Sequence, residues 1–232
     1  MGFYTLSYLG FALAQAALAI WGFRVFRENR TVGALMILLP IATVWYDNLI
    51  IALGSYIGAG TTLETLTMPR FLGHSLFTPA WIVGGTYLAA LAGAFGRSAK
   101  NFRAGAWILY GIMVLVGLLN EVFFYKGALA TEGDVLFYTN VGRLWTPPPP
   151  SLAMLIVVLI AGGLVLWKTK GRWPWMLLSA LIVLASQAAR GGEAAFFFTN
   201  LGEVAMSAAL IATLVWLRKR NATSPGGDLV TP

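Results

Sequence analysis

The residues best suited to chemistry are acids set inside apolar stretches. Asp47 stands in Thr43-Val44-Trp45-Tyr46-Asp47-Asn48-Leu49-Ile50-Ile51-Ala52-Leu53-Gly54, part of a run long and apolar enough to span a membrane. A carboxylate at the centre of an inserted helix costs about 2.5–3.5 kcal/mol. It survives there if protonated, paired or turned to a wet cavity. Glu121 and Glu203 stand in two further apolar runs, and the single histidine, His74, in another. A carboxylic acid in an apolar setting resists ionisation and can serve as a general acid near neutral pH. A second carboxylate can take the proton back. Asp47 with Glu203 or Glu121 fits that pairing, and His74 is a further candidate proton carrier.

Polar and aromatic residues recur around these four at helical spacing. Arg70, His74 and Thr78 follow at four-residue steps and share a helix face. Asn120 adjoins Glu121, with Tyr125 four residues on. Gln187 and Arg190 are three apart, and Asn200, Glu203 and Ser207 lie along one face. Trp45, Tyr46 and Asn48 flank Asp47. The candidate substrate-binding set is therefore Trp45, Tyr46, Asn48, Arg70, Thr78, Asn120, Tyr125, Gln187, Arg190 and Asn200. Aromatic rings among and around them could stabilise a cationic ligand or intermediate. A plainer role stands beside each: intramembrane polar contacts hold helices together at about 0.6 kcal/mol apiece. Arginines near the interface can snorkel, and a histidine can simply pack.

The elements that must position these residues are membrane helices. Of 232 residues, 58% are hydrophobic and 11% charged, against about 25% charged in soluble domains. The expected fold is an all-α integral membrane protein of seven transmembrane helices, at about 3–26, 32–54, 69–95, 104–125, 152–167, 174–189 and 196–217. The loop 55–68 is rich in Gly and Thr, and Pro69 suits the first turn of the third span. Pro79 frees a carbonyl one turn earlier, near Ser75. The connection 126–150 ends in four prolines, expected to form a stiff polyproline piece. Its apolar middle, Val135-Leu136-Phe137-Tyr138, suits the membrane surface or a cap on the bundle. Residues 1–220 read as one domain and 221–232 as a disordered cytoplasmic tail.

Twelve of the sixteen Lys and Arg lie in the turns 27–30, 96–103 and 168–172, their helix ends and the C-terminal flank. The positive-inside rule then puts the N-terminus outside and the C-terminus in the cytoplasm, in a bacterial-type inner membrane. This clustering, and not nucleic-acid binding, accounts for the net charge of +7. Seven of the nine acids fall in the outer half or outer loops: Asp47, Glu64, Glu121, Glu132, Asp134, Glu193 and Glu203. The implied pocket is polar and opens at or just beneath the outer face.

Several activities are excluded. With no cysteine and one histidine, thiol catalysis, thiolate or multi-histidine metal sites and bis-histidine haem are ruled out. No span carries a lysine in its middle, which rules out a retinal Schiff base. Phosphate-binding glycine loops, HExxH and GxSxG are missing, as are paired aspartate-rich motifs of diphosphate-handling enzymes. No metal or cofactor is expected.

Acid–base chemistry on a lipid remains, as in protonation-driven cyclisation or isomerisation of an isoprenoid. Trp45-Tyr46-Asp47 in span 2 resembles the membrane-integral terpene cyclases of meroterpenoid and indole-diterpene pathways. Those enzymes are similar in length, have about seven spans and place an acid directly after a Trp in span 2. Here the acid is offset by one residue, about 100° on a helix. The resemblance covers spans 1 and 2 and implies a proton donor at Asp47, with Glu203 nearest to the family's late second acid. Two other readings stay open. One is a non-catalytic membrane protein that binds a lipid, quinone or pigment or docks on a larger complex. The other is a small proton-coupled carrier, which the apolar inner halves and the lack of an inverted repeat disfavour.

Overall fold

The computed structural model describes residues 1–188 and 195–223. It is a helical protein in which, among the described residues, five helices are long and apolar enough to cross a membrane. The order is α1 (Phe3–Asn29), α2 (Val32–Ile57), α3 (Thr61–Leu76), α4 (Ala80–Leu91), α5 (Ala99–Gly117), β1 (Gly127–Glu132), β2 (Val135–Asn140), α6 (Pro149–Lys168), α7 (Trp175–Ala188) and α8 (Ala195–Ala222). Large apolar side chains such as Leu13, Leu115, Ile160 and Trp167 lie exposed, as expected of a surface facing lipid. Association of such helices rests on close packing and polar contacts, since lipid tails are as apolar as the core.

Two apolar clusters divide the bundle. The larger runs through the middle and the end away from the hairpin and includes Ile37, Ile41, Trp81, Val158, Met206 and Leu210. The smaller joins Tyr8 of α1 and Ile51 and Ala52 of α2 to Val135 and Phe137 of β2. Pocket and hairpin lie at the end where α1 and α8 begin and α2 finishes.

The third expected span is two helices. α3 begins at Thr61, so most of the expected loop 55–68 is helical and Pro69 sits inside α3. Only Gly58-Ala59-Gly60 separates α2 from α3. Gly58 (φ 81°) and Gly60 (φ 140°) adopt a backbone that side-chain-bearing residues avoid. Pro79 breaks the helix one step after Thr78, and short bonds from Ala80, Trp81 and Ile82 to residues 77–79 carry the chain round the corner. Pro79 has no N–H to extend α3, and its ring opposes a continuous helix.

Three more boundaries move. The turn expected at 27–30 is mostly the end of α1, and 96–103 is one 3-10 turn followed by the start of α5. The four prolines do not form one polyproline piece, because Pro149 and Pro150 open α6, where a missing N–H costs nothing. The expected disordered tail starts too early: α8 runs to Ala222, and Asn221 donates from Nδ2 to the Leu91 carbonyl at 3.1 Å. Residues 224–232 lie outside the described part.

The connection 126–150 holds an antiparallel hairpin, which the sequence reading did not anticipate. Its register runs from Gly127 opposite Asn140 to Glu132 opposite Val135, across a two-residue turn at Gly133-Asp134. Gly133 has φ 57°, the positive φ that tight hairpin turns require. Asp134 accepts from the backbone N–H groups of Tyr4 (2.9 Å) and Thr5 (3.3 Å) at the start of α1. Glu132 accepts from Tyr8 Oη at 2.5 Å and from the Phe197 N–H at the start of α8 at 3.2 Å. Each acid satisfies donors that a helix start leaves unpaired. The hairpin thus caps the bundle, one of its two expected positions.

Candidate functional site

A cavity of about 260 Å³ lies under the hairpin and the loop that follows it. Its wall takes Asp47 from α2; Arg70, Phe71, His74 and Ser75 from α3; Gly117 and Glu121 from α5 and the turn beyond it. The loop adds Arg143, Thr146 and Pro148; α6 adds Pro150 and Ser151; α7 adds Gln187; α8 adds Phe196, Thr199, Asn200 and Glu203.

Two ion pairs frame the wall. Arg70 donates from Nε to Asp47 Oδ1 at 2.6 Å, with both side chains at most 5% exposed. Arg70 also reaches the Tyr138 carbonyl from Nη1 at 3.4 Å, which ties α3 to β2. Across the cavity, Arg143 Nε lies 2.7 and 2.8 Å from the two oxygens of Glu121. The Phe71 ring stands between the guanidiniums, 5.9 Å from Arg70 Cζ and 5.7 Å from Arg143 Cζ. An aromatic face there helps hold two cations close to one cavity.

His74 touches the first pair from the side. Its Nδ1 lies 3.0 Å from Thr78 Oγ1, and its Nε2 lies 3.6 Å from Asp47 Oδ1. The second distance is too long for a hydrogen bond. His74 is about a quarter exposed, in contrast to Arg70 and Asp47. The Thr78 contact depends on the break at Pro79, which carries the chain away from α3 just beyond it.

The Glu121 side depends on local backbone geometry. Leu118–Phe123 is a π-helical turn, a wide turn common near functional sites. It lets the adjacent residues Asn120 and Glu121 both face inward, at 0% and 4% exposure. Asn120 Oδ1 accepts from the Trp145 N–H at 3.0 Å, and its Nδ2 donates to the Trp145 carbonyl at 3.3 Å and to Glu121 Oε1 at 3.0 Å. Asn140 Oδ1 accepts from the N–H groups of Lys126 and Gly142, both at 2.9 Å, and its Nδ2 reaches the Asn120 carbonyl at 3.1 Å. These amides fix the loop carrying Arg143 and Thr146.

The structure brings Asp47, Glu121, Glu203, His74, Arg70, Gln187 and Asn200 to one cavity. Asn120 and Thr78 stand behind it and hold its members. Four other candidates do not line it. Trp45 is well exposed, Tyr46 Oη donates to the Leu66 carbonyl at 2.8 Å, and Asn48 Nδ2 donates to the Val44 carbonyl at 2.8 Å. Tyr125 Oη lies 3.4 Å from Glu64 Oε1. There burial, reinforced by the carboxylate, pushes the phenol up to about 12. Helical phase explains the first three: Trp45, Tyr46 and Asn48 cannot share the face of their neighbour Asp47. Arg190 lies outside the described residues. Ser207 is fully buried one turn below Glu203.

Arg143, which pairs with Glu121, was not among the candidates read from the sequence. Its signal was being one of only two basic residues in the connection 126–150. Phe71 and Ser75 complete the 71/74/75/78 stripe around His74, which the four-residue steps alone did not capture.

No protein-family model matches the chain, and no curated protein matches it in sequence.

Proposed function

We propose that the chain is a membrane-embedded, isoprenoid-modifying enzyme in which His74 carries the proton. Seven spans would place its pocket in the outer half of the bilayer, with α3 and α4 together forming one span and α7 another. The N-terminus would then lie outside.

The observation that supports this reading is the setting of His74. Its Nδ1 is engaged by Thr78, while Nε2 lies 3.6 Å from Asp47 Oδ1, beyond a hydrogen bond, and the residue lines the cavity. Asp47 already accepts a charge-assisted bond from Arg70, so it suits an orienting acceptor more than a donor. Glu203 is in the same wall and acts electrostatically on His74.

In an isomerisation, the imidazolium N–H would be delivered to one carbon of an alkene. A C–H bond forms as the π bond breaks, leaving a cation at the neighbouring carbon. Phe71 and Phe196, both at the wall, suit the stabilisation of such a cation. Glu203 would take a proton from the adjacent carbon, the double bond would re-form, and the proton would return to His74. No co-reactant is consumed.

The second reading, a lipid-binding protein without turnover, gains from the two carboxylate–arginine pairs, which resemble a fixed binding frame. Mass spectrometry of lipids co-purified with wild type and His74→Gln separates the two. Accumulation of an unrearranged species in the variant supports catalysis; an identical bound lipid in both sinks it.

A further inference from the structure

The turn between α6 and α7 lies at the opposite end of the bundle from the cavity. α6 leaves the cavity wall at Pro150 and Ser151 and finishes at Lys168, about 30 Å of helix in all. α7 returns from Trp175 to Gln187, again in the cavity wall. α6 is long and apolar enough to cross a membrane, so the turn emerges at the membrane boundary.

The turn reads Trp167-Lys168-Thr169-Lys170-Gly171-Arg172-Trp173-Pro174-Trp175. Lys168, Lys170 and Arg172 are exposed, and none makes an ion pair among the described residues. The chain has no acid between Asp134 and Glu193. Of the nine acids, only Glu28 and Asp228 stand with the twelve Lys and Arg of the basic turns and the C-terminal flank. Cations stay in excess at that end however those two acids pair.

The turn is also held in shape. The N–H groups of Lys170, Gly171 and Arg172 donate to the carbonyls of Trp167, Leu166 and Thr169 at 3.0, 2.9 and 3.2 Å. Lys170 has φ 54° and Gly171 φ 79°, a left-handed ending that glycine takes freely and lysine only at a cost. The Trp173 ring stacks on Trp216 of α8 at 4.9 Å, and its Nε1 donates to the buried Thr213 at 2.8 Å. Trp167 and Trp175 are instead 68% and 57% exposed, and Lys168 Nζ lies 4.6 Å from the Trp167 ring centre. Exposed tryptophans sit at the headgroup level of a bilayer, and cations at that level meet lipid phosphates.

We propose that this turn is a binding site for an anionic phospholipid, whose phosphate the three cations receive between Trp167 and Trp175. The assignment is independent of the chemistry at the cavity.

The test is photo-crosslinking of the full-length protein in mild detergent with a diazirine-bearing phosphatidylglycerol, the labelled residues being located by peptide mass spectrometry. Labelling of 167–175 is expected to exceed that of 96–103, a turn with three cations and no tryptophan. Unlabelled phosphatidylglycerol should compete at a concentration roughly tenfold below that needed for phosphatidylcholine of the same chains or for glycerol phosphate. Lys168→Gln with Lys170→Gln and Arg172→Gln should cut labelling of 167–175 by about tenfold, whereas Lys168→Arg with Lys170→Arg should keep it. Equal labelling of the two turns would reduce the site to general basic attraction and overturn the assignment. Equal competition by phosphatidylcholine, equal competition by glycerol phosphate, or undiminished labelling in the Gln variant would each do the same. The competition series needs only the wild type and decides the question if the Gln variant fails to fold.

Discussion

Asp47 and Arg70 are 23 positions apart in the chain and meet at 2.6 Å in the interior, where neither is more than 5% exposed. The pair resolves how a carboxylate is kept inside an apolar helix. It also changes what a substitution there reports. Asp47→Asn leaves a buried guanidinium without its counter-charge, a loss of about 3–5 kcal/mol. A large drop in thermal midpoint is expected in detergent. Replacing both members, as in Asp47→Leu with Arg70→Met, should recover much of the loss. If the single variant melts like wild type, the pair is not formed.

His74→Gln keeps a polar side chain of similar reach and disturbs no buried ion pair. Its thermal midpoint should stay within a few degrees of wild type, while product formation falls by at least a hundredfold, the usual scale for general acid–base catalysis. Thr78→Val should reduce turnover by a smaller factor, because it removes only the anchor of the ring. Equal turnover in His74→Gln and wild type removes His74 from the chemistry.

Asn120→Ala releases the two bonds that hold Trp145. Hydrogen exchange at the Trp145 amide should accelerate, and so should that at Gly142 if the paired amides act as one unit. The Glu121–Arg143 contact is partly exposed, so its own contribution is about 1 kcal/mol or less. Arg143→Met should therefore change ligand affinity more than stability.

Hydrogen bonds from Thr5 and from the Tyr4 backbone hold the Asp134 carboxyl below its ordinary range. A depressed value means the native state binds this proton less readily than the unfolded chain. The stabilisation is then complete above the unfolded value, about 3.9, and is lost as pH falls through the native one. Exchange of the Tyr4 and Thr5 amides, referenced to the intrinsic rate at each pH, should rise below pH about 4. Asp134→Asn should show the fast rate already at neutral pH.

A Cβ at Gly54 would collide with the Leu136 carbonyl oxygen. Gly54→Ala must push the hairpin off α2 and is expected to lower the thermal midpoint by several degrees. An unchanged midpoint would mean that the hairpin does not rest on α2 as described.

The helical architecture was legible because apolar runs and basic turns follow from the bilayer itself. Seven of the cavity residues were legible because polar groups at one depth in an apolar sequence are costly and therefore conspicuous. What could not be read depends on backbone detail. Hydropathy does not announce a π-helical turn, so the shared inward direction of Asn120 and Glu121 was hidden. The hairpin was missed because prolines and an apolar patch in one connection resemble a surface segment. Neighbours of Asp47 were given roles by adjacency, whereas on a helix adjacent residues diverge.

The caps supplied by Asp134 and Glu132 have a consequence for how the chain is made. Tyr4 waits for an acid 130 positions later, and Glu132 waits for Phe197, a further 65. The first helix therefore enters the bilayer with its leading amides open to solvent. It is secured only once the hairpin has been made, and the contact to Phe197 forms when α8 emerges. The hairpin end of the bundle is therefore finished only when α8 has been made. The cavity beneath it, walled in part by α8, is completed at the same step.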